Sequence, residues 1–248
     1  MPTATPAPGP TPPSTPSPSP SPSASPSSSR RRGPRPRYSR EDVGRAAVSI
    51  ADADGLEAVT FRAVAARLGT GVMSLYNYIP DKQALVYEMA ELVSAELDLP
   101  EPTGDWRADL HTVAGRQRDL VHRHPWLIEA VSHLQPIGPA TLALLEFALG
   151  ALEPAGLSMR DRLETIAMVN GFVLNLVRAE LASRAAAADP RARAGQFAMI
   201  PELLASGRYP RFAAVIAEGG QPETLDPAAS FDRLLDRVLD GLVQAPDA

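Results

Sequence analysis

Between Arg67 and Lys82 the chain reads Arg-Leu-Gly-Thr-Gly-Val-Met-Ser-Leu-Tyr-Asn-Tyr-Ile-Pro-Asp-Lys, and this stretch constrains the fold more than any other. A short helical pattern ends at glycine, a tight turn follows, and a second helix is predicted from about Val72 to Tyr78. Leu75 and Ile79 are four residues apart, so they share the face that turns to a core. Ser74, Asn77 and Tyr78 then point elsewhere, with Tyr76 on the flank. Pro80 stops the helix, and Asp81 stands where the cap of the next one belongs. This is the pattern of a helix-turn-helix whose second helix enters a DNA groove. A small helical hairpin with half-buried tyrosines fits the same spacing.

The flanking sequence reads as further helices. Ser39 and Asp42 make a capping box before Val43, Ala46, Ala47, Ile50 and Ala51, and Asp54-Gly55 ends that run. Leu56 and Val59 tuck into a small core. Thr60 caps the next helix, whose inner face is Val64, Ala65 and Leu68, and Gly69 closes it in a left-handed conformation. Beyond Asp81, Leu85, Met89, Leu92 and Val93 form an inner stripe. Pro100 and Pro102 mark a boundary, so residues 38–98 read as one domain and 104–244 as a second. In the second, helical patterns cover about 105–123, 126–132, 138–152, 158–186, 190–206 and 228–244. The predicted class is all-α.

Composition bounds the rest. Residues 2–29 are only Pro, Ser, Thr, Ala and Gly, which cannot bury enough apolar surface to offset ordering entropy. Residues 1–37 are therefore expected to be a disordered tail with a basic end. No signal peptide and no uncharged apolar run of about 18 residues is evident, so a cytoplasmic protein with no membrane partner is expected. The absence of cysteine excludes disulfides and thiol catalysis. Net charge is −5, yet residues 30–98 are neutral, with nine Arg and one Lys against ten acids. Arg30, Arg31, Arg32, Arg35, Arg37 and Arg40 have no acid among them. They form either a basic arm that contacts phosphates or a solubilising flank.

Little points to catalysis or to a cofactor. There is no phosphate-binding glycine loop, no triad spacing, and His122-Arg-His124 places its imidazoles on different faces. His111, His122, His124 and His133 read as surface or pocket-rim residues, with no metal site. The second domain offers large adaptable side chains beside a few polar ones, as small-molecule pockets do. The pocket candidates are Trp126, His133, Phe147, Met168, Asn170, Phe172 and Asn175. Two amphipathic helices, at 158–186 and 228–244, either complete a monomer core or pair with their symmetry mates. Val173, Val177, Leu181, Leu235, Leu239 and Leu242 are the candidate interface residues.

Residues 39–97 resemble the DNA-binding domain of the TetR family of transcriptional regulators. The likeness rests on Val59-Thr60-Phe61-Arg62-Ala63-Val64-Ala65-Ala66-Arg67-Leu68-Gly69, then Leu75-Tyr76-Asn77-Tyr78-Ile79, then Asp81-Lys82-Gln83-Ala84-Leu85. It implies a helix-turn-helix three-helix bundle followed by a larger helical ligand-binding and dimerisation domain. By motif position, Tyr76 and Lys82 match phosphate-holding residues. Arg62, Val72, Met73, Asn77 and Tyr78 match positions near bases or the adjoining backbone. With Arg37, Thr60 and Ser74 they make up the expected DNA-facing set. The resemblance implies a homodimeric repressor that leaves a palindromic double-stranded operator when an unidentified small-molecule effector binds. The alternatives are a helical interaction or ligand-binding module without DNA binding, and an activator or ligand-independent regulator.

Overall fold

The computed structural model describes residues 37–131, 138–189, 191, 195, 198–218 and 227–242. The chain divides into two units, Met1–Arg37 and Tyr38–Ala248. The expected disordered tail lies outside the described residues except for Arg37, which is exposed. Among the described residues every regular element is a helix.

Helix α1 (Arg40–Asp54) opens on the expected capping box. Ser39 Oγ accepts from the Asp42 amide, and the Asp42 carboxylate accepts from the Ser39 amide. A 3-10 turn, Leu56–Ala58, and Val59 return the chain to the core, where Val59 is fully buried. Thr60 caps α2 (Phe61–Leu68), which ends at Gly69 with φ 64° and ψ 40°. A side chain there would strain the backbone, so glycine lets the turn close tightly.

Helix α3 (Val72–Leu75) is shorter than predicted. The amides of Tyr78 and Ile79 both donate to the Leu75 carbonyl, at 2.9 and 3.0 Å, so the chain winds into a turn at 76–78. Pro80 disfavours helical geometry at Ile79, which accounts for the early end. Leu75 and Ile79 are nevertheless fully buried, as their spacing predicts. Asp81 caps α4 (Lys82–Ser94), which packs along α1 and buries Leu85, Met89 and Val93.

An irregular stretch leads to α5 (Trp106–Arg123), capped by Asp105. Then come α6 (Leu127–Val131) and α7 (Pro139–Ala151). A 3-10 turn, Glu153–Ala155, precedes the 30-residue α8 (Met159–Ala188). Helix α8 packs against α5 and against the last helix, which is numbered below as α11 (Pro227–Leu242). Helix α4 also touches α6 and α7, so the first four helices continue into the second set rather than standing apart.

One expectation changes here. The pattern at 190–206 contains α9 (Ile200–Ala205) within the described residues, and it is followed by α10 (Pro210–Ala217), which was not predicted. Gly207 and Pro210 read as loop punctuation, yet proline at the first helical position is compatible with a helix start. By length and mean composition α8 could cross a membrane, although its charge-free run extends only from Thr165 to Val177, between Glu164 and Arg178. Its inward stripe packs inside the chain: Val169, Val173 and Val177 are at most 3% exposed.

Candidate nucleic-acid interface and effector domain

The surface of α3 follows from its burial. With Leu75 and Ile79 spent on the core, Met73, Ser74, Tyr76 and Asn77 are exposed, Met73 at 77%. Tyr76 is not loose. Its ring stacks on Phe61 at 4.6 Å between centroids and 8° between planes. That contact fixes the ring, and Tyr76 is still 46% exposed. Phe61 was missed as a functional residue. It sits within the quoted motif, but helical periodicity treats the first residue of α2 only as framing.

The other members of the set divide into two groups. Arg62 and Lys82 are exposed, Arg62 early in α2 and Lys82 at the first position of α4. Val72 and Tyr78 are half-buried and pack against the core, so they present only part of their surface. Thr60 uses its Oγ1 to accept from the Ala63 amide at 3.1 Å, which makes it a helix cap first. Arg67, in the last turn of α2, donates to Ser49 and ties α2 to α1. Tyr38 reaches from the start of the unit to donate to the Leu68 carbonyl.

The pocket candidates do not converge on one cavity. Met168, Phe172 and Asn175 line an open groove of about 500 Å³ with Ala167, Gly171, Leu176, Ala179 and Val238. Phe147 borders a different groove of about 650 Å³, between α7 and residues 95–102. Trp126 is buried, and its indole donates to Asp52 of α1 at 2.7 Å, so it belongs to the joint between the two helix sets. Asn170 is half-buried, and its side-chain oxygen accepts from Gln117 at 2.8 Å; Asn175 is exposed. Asn170 therefore has a protein partner, and Asn175 needs none. His133 lies outside the described residues.

The interface candidates need a correction. Val173, Val177, Leu235 and Leu239 are at most 1% exposed within a single chain, while Leu181 and Leu242 are half-buried. The four buried residues make the seam between α5, α8 and α11 and have no surface left for a partner. Periodicity located the apolar stripe but could not say what it faces. The outward face of α8 carries Leu163 at 44% and Met168 at 56% exposure, beside the groove described above.

The three described histidines all have carboxylate partners. His111 lies 2.8 Å from Asp236 of α11, and His122 contacts Glu180. Glu180 is 3% exposed and also accepts from Arg118 at 3.0 and 3.1 Å, so this buried carboxylate is compensated. His124 is buried with Nδ1 2.7 Å from Asp52 and Nε2 3.3 Å from Glu96. Asp52 thus collects both His124 and Trp126, joining α1 to the turn after α5. Nearby, Glu91 of α4 accepts from the Ala140 amide and the Thr141 hydroxyl, each at 2.9 Å. Burial raises the Tyr87 phenol above its ordinary range, with Glu91 and Glu88 adding to the shift. Asp52, Glu91 and Glu180 could not be singled out earlier, because long-range polar partners leave no periodic trace.

Comparison with known proteins agrees with this architecture. Residues 45–89 match the bacterial regulatory proteins of the tetR family, and residues 99–245 match the tetracyclin repressor-like C-terminal domain. The HTH-type transcriptional repressor DrrR1 of Streptomyces coeruleorubidus is 37% identical over 221 residues, covering 85% of this chain and 79% of the relative. An HTH-type transcriptional regulator of Saccharopolyspora erythraea is 30% identical, covering 80% and 82%. The Streptomyces coelicolor TetR family protein ActR, solved in complex with actinorhodin, shares the fold with a TM-score of 0.71 at 24% identity, covering 83% of this chain and 95% of ActR. With its reading head and its C-terminal helices both matched, the chain belongs to the TetR family of DNA-binding transcriptional regulators.

Proposed function

We propose that this protein is a homodimeric repressor that acts on a palindromic operator in the cytoplasm and releases it when a small molecule binds the C-terminal helices. The observation that carries the reading is the division of labour on α3. Leu75 and Ile79 are buried, while Met73, Ser74, Tyr76 and Asn77 are presented to solvent on a turn clamped by Phe61. Tyr76 and Lys82 hold phosphates, with Arg37 and Thr60 at the edge of the footprint. Arg62, Val72, Met73, Ser74, Asn77 and Tyr78 approach base edges or the adjoining backbone. Apolar Met73 and Val72 favour thymine methyl contacts over many bidentate pairs.

One α3 spans only a short half-site, so specific binding calls for two copies about 34–36 Å apart along the duplex. The outward face of α8, with Leu163 and Met168 beside the groove over Phe172 and Val238, supplies a surface for pairing. Effector control is supported by ActR, which shares the fold and was solved with actinorhodin bound. A ligand that prefers the conformation with the wrong α3 spacing would shift the population away from DNA.

Selection of genomic DNA fragments with purified protein tests the reading directly. A palindromic site should be enriched, and its duplex should bind more weakly as salt rises. Recovery of no specific sequence would overturn it. The genes beside the site indicate which compounds to add next, and unchanged duplex affinity at saturating compound would remove the effector arm alone.

A further inference from the structure

Helix α7 begins without a cap of its own. Gly138 occupies the cap position and has no side chain to offer, and Pro139 follows. The cap comes from another helix: Glu91 of α4 places Oε2 2.9 Å from the Ala140 amide and Oε1 2.9 Å from the Thr141 hydroxyl. A carboxylate at a helix start satisfies exposed amides and faces the positive end of the helix dipole. The approach is close enough to demand glycine. A Cβ at Gly138 would lie 2.2 Å from both Glu91 Cδ and the Tyr87 hydroxyl.

The position of Glu91 gives this contact its meaning. Helix α4 starts at Lys82, beside the DNA-reading turn, and rises about 14 Å over the nine residues to Glu91. Helix α7 runs from this contact to Phe147, Ala148 and Ala151, which are buried where α7 meets α5 and α8. One rigid helix therefore leads from Glu91 to the DNA side, and another leads into the C-terminal helices.

We propose that Glu91 is a positioning residue that couples the DNA-reading helices to α7, by lending α4's carboxylate as the missing cap of α7. With the cap in place, α4 is held in the orientation that binds DNA. When α7 moves, it either drags α4 or loses both hydrogen bonds. Coupling is reciprocal, so DNA that fixes α4 must also steady the start of α7. The proposal rests on DNA binding by α3 but not on effector release.

The test uses full-length protein and a duplex recovered by the selection above. Hydrogen exchange is followed at residues 140–142, and duplex affinity is measured in parallel. In the wild-type protein the duplex should slow exchange of the Ala140 amide several-fold. Glu91→Ala should abolish that slowing and weaken duplex affinity about five- to tenfold, because a smaller fraction is binding-competent. Thr141→Val, which removes one of the two bonds, should fall between. Gly138→Ala leaves the sequence of α4 intact but displaces the Glu91 carboxylate, and the Tyr87 hydroxyl beside it, and should reproduce the Glu91→Ala result. Thermal unfolding identifies any variant that fails to fold, in which case Gly138→Ala and Thr141→Val decide. Wild-type affinity with unaltered duplex-dependent protection in the folded variants would overturn the proposal, as would absence of that protection in the wild-type protein. Failure of the wild-type protein to bind any duplex would instead overturn the DNA-binding reading.

Discussion

Helix α3 has four residues and α8 has thirty, yet the short helix is the more fully specified within one chain. All but one of the large apolar groups of the reading turn have an intramolecular role: Leu75 and Ile79 are buried, Val72 and Tyr78 lean on the core, and Tyr76 stacks on Phe61. Met73 alone among its large apolar side chains stands clear, on the face proposed for DNA. Helix α8 has two apolar sides. Val169, Val173 and Val177 are sealed inside, while Leu163 and Met168 are exposed and Met168 lines a groove with Phe172, Leu176 and Val238. A head that only has to read DNA can be completed by one chain. A helix with a second, exposed apolar side leaves surface for the proposed pairing, and substitutions on its two sides should separate cleanly.

The largest effects should come from the sealed positions. Leu75→Ala in the head and Leu239→Ala at the α8–α11 seam each remove a fully buried side chain. Each should lower unfolding free energy by about 2–5 kcal/mol in denaturant titrations. Met168→Ala, on the outer side of α8, should stay within about 0.5 kcal/mol in the monomer's own unfolding. Equal losses at Met168 and Leu239 would erase the two-sided description of α8.

Next in size is association. Met168→Asp places a charge in the middle of the outward groove, which should weaken self-association about 30-fold or more if Met168 is an anchor. Sedimentation velocity should show the mass falling toward that of one 26.4 kDa chain while helical content is retained. Retention of the wild-type mass would remove this face as the pairing surface and leave the head's reading of DNA untouched.

Smaller again are the head's phosphate contacts. Lys82→Ala should reduce the slope of log affinity against log salt by about one, because one cation no longer displaces counterions. Tyr76→Phe removes only a hydroxyl and keeps the Phe61 stack, so it should weaken binding across all sequences with no change in slope. A change in sequence preference from either substitution would move that residue from the phosphate group to the base-reading group.

The same contrast explains what could be read in advance. The caps at Ser39, Thr60 and Asp81 are local signals, and each side chain accepts the expected amide. Leu75 and Ile79 lie four residues apart across the end of α3 and the turn that follows it, with one core to face, so their burial followed from spacing. Val173 and Leu235 obey the same rule, but period alone cannot distinguish a seam within the chain from a seam between chains. Trp126 was placed in a pocket on size and polarity, whereas its position depends on Asp52, 74 residues away. Glu91 and Glu180 carried no sequence signal for the same reason.

The smallest expected effect returns to a local signal in the head. The Asp42 carboxyl is held below its ordinary range first by the Ser39 backbone amide and then by the Ser39 hydroxyl, with a lesser contribution from Arg45. The donors lie 2.7 and 2.8 Å from Oδ2. Because the folded-state pKa is depressed, the stabilisation is complete above the ordinary aspartate range and is lost as pH falls through the lower folded value. Asp42 is fully exposed, so solvent screens the contribution and the effect should be slight. Melting temperatures of wild type and Asp42→Asn should differ most near neutral pH and converge in strong acid. Exchange of the α1 amides should show the same convergence. A gap that persists unchanged below the folded pKa would mean that the carboxylate's charge contributes nothing to this cap, leaving its hydrogen-bond geometry as the whole of its role.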